Sequence, residues 1–187
     1  MIYILWGFMA FFIFFIYDIN SVVFKRKVLH GCFFAGFILL IAATAGIIIT
    51  YRNLIRIDVF RMATFGLFAL LFFLLLIYTL FFALPFKSTY IETEESNKAY
   101  KSGVYALCRH PGVLWFMGFY VFLGLALDIP LLMTASIIFS LLNILYVIFQ
   151  DRWTFMKIFD DYDEYKKDTP FLLPNYKSIK RCIQTLW

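Results

Sequence analysis

The chain has 187 residues, of which 63% are hydrophobic and only 16% are charged. A soluble domain usually has about a quarter charged residues, so this composition excludes an ordinary water-soluble domain. In a soluble protein the net charge of +5 would suggest a nucleic-acid partner, but here it indicates basic residues that face anionic lipid headgroups. We therefore expect a single membrane domain over residues 1–187, with the lipid bilayer as partner and no nucleic acid.

Long apolar runs account for most of the chain. Runs of roughly 20 apolar residues can cross the hydrocarbon core of a bilayer. They predict an all-α protein with about five transmembrane helices, over residues 2–23, 29–50, 62–84, 112–127 and 130–149, and an amphipathic tail over 150–187. The first run is read as a membrane helix and not as a signal peptide, because no Lys or Arg precedes Lys25 and no small-residue cleavage site follows it.

The positive charges are divided unequally between the two sides that five spans create. The second and fourth loops hold only Arg52, Arg56 and Arg61 of the 17 Lys and Arg residues. Short loops on the cytoplasmic side carry the excess of positive residues. The pattern therefore predicts an N-terminus outside the membrane, and a third loop and C-terminal tail in the cytoplasm.

The last two predicted spans form a tight hairpin, because only Asp128, Ile129 and Pro130 connect them. So short a connection forces the two helices to lie antiparallel as neighbours. Their far ends then meet at the same membrane surface. The hairpin is therefore expected to bring the segment 109–111 beside residues 150–151.

The tail has two amphipathic stretches, separated by prolines at positions 170 and 174. The first has apolar residues at helical spacing, which predicts one helical face made of Phe155, Ile158, Phe159, Tyr162 and Tyr165. The second has interleaved basic residues and a stripe formed by Tyr176, Ile179, Ile183 and Leu186. This second pattern is typical of a helix that lies on an anionic membrane surface.

The polar segment before the fourth span ends in Cys108-Arg109-His110-Pro111. Pro111 suits the first position of a helix, where its missing N–H costs nothing. A helix N-terminus with an adjacent Arg109 could bind a carboxylate or a phosphate, and His110 adds a donor or acceptor there. The alternative is that Arg109 and His110 only mark the membrane boundary and reach lipid phosphates.

An ordered set of residues surrounds this hairpin. Before it stands a Gly-x-Tyr-x-x-x-Arg-His-Pro motif made of Gly103, Tyr105, Arg109, His110 and Pro111, and after it follow Asp151, Phe159, Tyr162, Tyr165, Pro170 and Pro174. The set resembles the isoprenylcysteine carboxyl methyltransferase and phospholipid methyltransferase superfamily. Five positions depart from it. Val113 and Trp115 stand where that superfamily usually has Tyr and Gly, Gln150 and Asp151 stand where it has two Glu residues, and Asp160 stands where it has Gly, in a pair with Phe159 that is one residue closer to Tyr162.

This resemblance implies a membrane methyltransferase that uses S-adenosylmethionine and acts on an amphipathic or lipid-like substrate. It implies catalytic roles for Arg109 and His110, and cofactor binding by Tyr105, Arg109, His110, Pro111, Gln150, Asp151, Tyr162 and Tyr165. The chemistry of these side chains is suitable, because a cation suits the cofactor's carboxylate and Asp151 suits its ammonium. The rings of Tyr162 and Tyr165 could pack on the adenine, with their hydroxyls at the wet edge.

The nucleophile in such a reaction is left open by the sequence. Methyl transfer is an in-line displacement that needs alignment and the exclusion of water. A carboxylate nucleophile needs no base, whereas an amine needs one, for which the candidates are His110, Asp151, Glu92, Glu94 and Glu95. The substrate is expected to arrive sideways from lipid. Small residues in the second span permit either close helix packing or a portal: Ala42, Ala43, Ala45 and Gly46.

Two other functions share parts of this pattern. Membrane sterol and steroid reductases have a similar Arg-His-Pro hairpin and use NADPH. A catalytically degenerate relative could instead bind lipid or a partner protein, and Asn143 inside the fifth span fits either class. No metal site is expected, because Cys32, Cys108, Cys182 and the two histidines lack metal-ligand spacing.

Overall fold

The computed structural model describes residues 1–55, 57–83 and 98–185. Within these ranges the regular structure is helical and no strand is found, which confirms the all-α fold class. The α-helices are α1 (Ile2–Ile19), α2 (Gly31–Tyr51), α3 (Val59–Phe81), α4 (Val104–Leu107), α5 (Pro111–Leu127), α6 (Pro130–Phe149), α7 (Phe155–Ile158), α8 (Tyr162–Asp168) and α9 (Tyr176–Thr185).

Four helical stretches are long and apolar enough to cross a membrane, namely Ile2–Phe24, Lys27–Leu54, Val59–Phe81 and Pro130–Ile158. The helix α5 is equally apolar but has 17 residues, and it forms the predicted hairpin with α6. The five predicted spans thus correspond to α1, α2, α3, α5 and α6, with ends that differ by a few residues. The predicted end of the third span, Leu84, lies outside the described residues.

Polar side chains fix the two turns between neighbouring membrane helices. After α1 a π-helical turn begins at Asn20. This residue is buried, and its side chain donates to the carbonyl of Arg26 and accepts from its N–H, both at 3.0 Å. At the other end of the bundle, Asp58 caps α3, and Arg61 pairs with Asp128 at 2.7 Å. That pair joins the start of α3 to the end of α5.

The membrane helices pack in two connected groups. The helix α1 packs on α2 and α6, while α3 packs along α5, which in turn contacts α6. Small residues allow the close approaches, since a Cβ at Gly7 would overlap the ring of Phe139 and one at Gly46 would overlap Tyr3. In α2, Ala43 is buried in this packing while Ala45 lines a cavity. The small residues of the second span therefore serve both packing and an opening.

The tail differs from its predicted form in one respect. The prediction of a single helical face over 155–165 is wrong. The helix α7 ends at Ile158, and the backbone of Phe159 is extended, with φ −111° and ψ 121°. The break occurs where Asp161 accepts a hydrogen bond from the N–H of Ala99 at 2.7 Å and pairs with Lys101 at 2.6 Å. These contacts fix the chain just before α8. The predicted second stripe is helical as α9, up to Thr185.

Replacing Gly7 by Ala tests the packing of α1 on α6. Because Phe139 is fully buried, the added methyl group must displace it, so Gly7→Ala should destabilise the protein by about 1–3 kcal/mol and lower its melting temperature in detergent. Gly66→Ala is the control, since no atom lies within 4 Å of the added Cβ. Equal melting temperatures for the two variants would contradict the packing described.

Candidate functional site

A buried ion pair joins the segment before α5 to the end of α6. Arg109 Nε lies 2.7 Å from Asp151 Oδ1 and Nη2 lies 3.1 Å from Oδ2, so the contact is bidentate. The two side chains are only 9% and 8% exposed. Arg109 Nη1 also donates to the carbonyls of Lys166 and Thr169, at 3.3 and 2.6 Å. The predicted adjacency of the segments 109–111 and 150–151 is therefore confirmed.

Asp151 accepts two further hydrogen bonds. His110 Nε2 lies 3.2 Å and the hydroxyl of Tyr162 lies 2.8 Å from the same Oδ1 atom. The charge of Asp151 is thus balanced by Arg109, and most of its lone pairs are used within the protein. In this conformation an ammonium could bind Asp151 only through Oδ2 or by replacing one of these donors. The alternative that Arg109 and His110 reach lipid phosphates is wrong, because both side chains are buried.

Backbone hydrogen bonds hold the tail against the segment 109–111. The N–H groups of Arg109 and His110 donate to the carbonyls of Pro170 and Phe171, at 2.9 and 3.3 Å. The ring of Phe171 lies against the Arg109 guanidinium, 5.6 Å from its centre, and edge-on to His110. Pro170 interrupts helical structure, so the carbonyls around it are available for these bonds.

The protonation states in this cluster follow from burial and from Asp151. Burial lowers the pKa of His110 below its ordinary value and outweighs the opposite effect of Asp151, so the ring is neutral at pH 7. Burial alone would lower the pKa of Arg109, but the hydrogen bonds and charge of Asp151 raise it above its ordinary value. Since Asp151 can only accept, His110 donates through Nε2, and Nδ1 is the ring's acceptor.

The tyrosines of the motif connect the site to α3. Gly103 has φ +59° and ψ −134°, a conformation that glycine tolerates, and it begins the short helix that carries Tyr105. The hydroxyl of Tyr105 donates to the carbonyl of Thr79 at 3.1 Å, and Tyr165 donates to the carbonyl of Tyr105 at 2.6 Å. Burial raises the pKa of Tyr105 to about 12, so it stays protonated. The tyrosine hydroxyls predicted at a wet edge are instead bonded inside the protein.

Aromatic rings around this cluster enclose a cavity of about 200 Å³, which we call the small cavity. Two of its walls, Ala99 and Tyr100, precede the Gly-x-Tyr motif and carry no sequence signal. Its lining consists of Ala99, Tyr100, Tyr105, Arg109, Phe155, Phe159, Tyr162 and Tyr165. Tyr162 and Tyr165 thus line a cavity, while their hydroxyls donate to acceptors within the protein.

A second cavity of about 850 Å³, the large cavity, lies inside the helical bundle. Side chains from α1, α2, α3, α5 and α6 line it, and most of them are apolar. Its walls include Ile41 of α2 and Phe73 of α3, which are 53% and 38% exposed, so it reaches the lipid-facing surface. Tyr105, Arg109 and Phe155 line both cavities. The two spaces therefore meet at Arg109.

The remaining predicted site residues do not belong to the hydrogen-bonded cluster around Arg109 and Asp151. Pro111 is buried at the first position of α5, as expected. The side chain of Gln150 donates to the hydroxyl of Tyr146 at 3.0 Å, and among the described residues no hydrogen bond joins it to Arg109 or Asp151. Trp115, a departure from the superfamily pattern, donates to Thr79 Oγ1 at 3.0 Å. The candidate bases Glu92, Glu94 and Glu95 lie outside the described residues.

Comparisons of this chain with protein-family models, with curated proteins and with solved structures find no match.

Asp151→Asn tests the buried pair. Removing one partner leaves the buried charge of Arg109 uncompensated, so stability should fall by about 3–5 kcal/mol, with a lower melting temperature. Asp163→Asn is the matched control, because Asp163 is exposed on α8 and the same substitution there should have little effect. An Asp151→Asn variant as stable as the parent would show that the pair does not hold the tail in place.

Proposed function

We propose that this protein is a membrane-embedded methyltransferase that uses S-adenosylmethionine and acts on an amphipathic or lipid-like substrate. The observation that carries the proposal is the meeting of two unlike cavities at Arg109, one lined by aromatic rings outside the long helices and one apolar and inside the bundle. Transfer between a water-soluble donor and a lipid-soluble acceptor needs such a junction, where the reacting atoms are held together and water is kept away.

The residues of the small cavity suit part of the cofactor. Its volume of about 200 Å³ is below the roughly 300–1,000 Å³ of whole-ligand pockets, so it fits one end of the molecule, with the rest reaching past Arg109 toward the large cavity. Aromatic walls suit an adenine ring and a sulfonium charge. The guanidinium of Arg109 bonds to Asp151, to Tyr162 and to two tail carbonyls, so a carboxylate would bind there by sharing or replacing one of these contacts.

When bound, S-adenosylmethionine would supply an electrophilic methyl group. His110 is suited to remove a proton from an amine nucleophile, since the ring is neutral, lines the large cavity and is fixed through Nε2 by Asp151. Its stacking on Phe155, with ring planes 10° apart, limits rotation of the imidazole. For a carboxylate nucleophile, His110 would only orient the substrate. The acceptor would enter sideways, between α2 and α3.

A non-catalytic lipid-binding role is the second candidate. One observation favours it: Arg109, His110, Asp151 and Tyr162 hydrogen-bond to one another inside the protein. On that view the cluster fixes the tail, and the large cavity alone has a function.

Calorimetry on the detergent-purified chain tests the proposal. S-adenosylhomocysteine should bind with micromolar affinity, while NADPH should not. Ala99→Phe should fill the small cavity and abolish that binding, whereas Ala63→Phe, on an exposed position of α3, should leave it unchanged. Binding of NADPH alone would favour a reductase, and binding of neither compound would favour the lipid-binding role.

We also propose that the N-terminus lies outside and the tail lies in the cytoplasm, on the basis of the charge distribution. Cysteines introduced at the exposed positions Asn53 and Asp163 should then differ in their labelling by an impermeant reagent in intact cells. A membrane-impermeant maleimide should label Asn53→Cys, and should label Asp163→Cys only after the membrane is opened, with the parent chain as background. Labelling of the tail position in intact cells would contradict this orientation.

A further inference from the structure

One acidic residue, Asp18, lies within a membrane helix near the Arg109 end of the bundle. Its side chain is 3% exposed and hydrogen-bonds to Gln150 and Tyr146 of the α6 segment. Its second oxygen, Oδ2, is buried and has no hydrogen-bond partner among the described residues. An ionisable side chain in this setting is costly and is usually retained for function.

Asp18 lies behind the wall of the large cavity, where its two hydrogen-bond partners are lining residues. It follows Phe11 and Phe14 on one face of α1, at spacings of three and four residues, and both rings line that cavity. Tyr146 and Gln150, its two partners, also line it and are bonded to each other at 3.0 Å. Asp18 therefore stands behind one polar part of a mostly apolar surface.

Asn143 extends this polar part deeper into the bundle. It precedes Tyr146 and Gln150 on the same face of α6 and lines the large cavity. Its side chain makes no hydrogen bond within the part of the chain that the structure describes. The polar wall, defined as Asn143, Tyr146 and Gln150 with Asp18 behind them, thus presents the amide oxygens of Asn143 and Gln150 to a ligand in the cavity.

The two buried acids, Asp18 and Asp151, differ in whether a cation balances their charge. Asp151 is paired with Arg109, whereas Asp18 forms no ion pair with any residue the structure describes. A carboxylate in a medium of low dielectric constant favours a cation nearby. Asp151 already balances Arg109, whereas no cation among the described residues balances Asp18, so Asp18 favours positive ligands near this wall over anionic ones.

We propose that the polar wall binds the ammonium head of an amphiphile whose apolar chain lies in the large cavity. The amide oxygens of Asn143 and Gln150 accept the ammonium N–H groups, and Asp18 supplies the balancing charge through Tyr146 and Gln150. A metal ion does not fit, since no cluster of three or more His, Cys, Asp or Glu occurs within the described residues. That this amphiphile is the methyl acceptor rests on the proposed function, while its binding does not.

Melting and binding measurements on the whole chain in neutral maltoside micelles test this site. At pH 7, dodecylamine should bind and raise the melting temperature, dodecyltrimethylammonium should bind more weakly because its head has no N–H to donate, and dodecanoate, with a chain of equal length, should not bind. Asp18→Asn should weaken dodecylamine binding by about tenfold or more, because the attraction of a full charge is lost. Asp163→Asn removes an exposed carboxylate of the tail and should keep the parent's affinity.

Two further variants keep the test decisive if Asp18→Asn folds poorly. Ala45→Phe should fill the large cavity and abolish dodecylamine binding, and Asn143→Leu should weaken it while leaving the charge of Asp18 in place. Equal binding of dodecanoate, or full dodecylamine affinity in Ala45→Phe and Asn143→Leu, would overturn the proposal.

S-adenosylhomocysteine binding measured on the same samples separates this inference from the proposed function. Dodecylamine binding without S-adenosylhomocysteine binding would support the ammonium site and reject the methyltransferase. The reverse result would reject the ammonium site alone.

Discussion

The ion pair between Arg109 and Asp151 is the interaction on which the site depends. Two residues that are 42 positions apart in the sequence meet at the end of the membrane hairpin, where both charges are nearly removed from water. Such a pair is stable only with good geometry and further hydrogen bonds, and both are present here. His110, Tyr162 and the carbonyls of the tail all bond to this pair, so its formation positions the small cavity.

The two buried acids near this end of the bundle have different consequences. Asp151 has an arginine, a histidine and a tyrosine as donors, so its charge contributes to the architecture. Asp18 has only neutral partners, and one of its oxygens has no partner among the described residues. A carboxylate that the fold does not neutralise can be neutralised by a ligand. The contrast thus separates a residue that holds the protein together from one suited to select what enters the large cavity.

Sequence reasoning succeeded where the physical constraint was local. Apolar runs of membrane length predicted the long helices, and a three-residue connection between α5 and α6 was enough to predict the meeting of Arg109 with Asp151. The break at Phe159 could not be predicted, because apolar spacing of three and four residues continues across it, while its cause is a contact between Asp161 and the distant Ala99. The lone acid in α1 was visible in the sequence, but its partners depend on how α1 packs on α6, which no local pattern specifies.

The packing of α1 on α6 also gives a physical account of one departure from the superfamily pattern. Gln150 stands where an acid is usual in the superfamily that the chain resembles, and here its side chain hydrogen-bonds to Asp18. A carboxylate at position 150 would place two like charges in contact in a buried setting, which is strongly unfavourable. A neutral amide there can donate to Asp18 and to Tyr146 together. The negative charge behind this part of the large cavity is therefore carried by Asp18 of α1, and position 150 remains neutral.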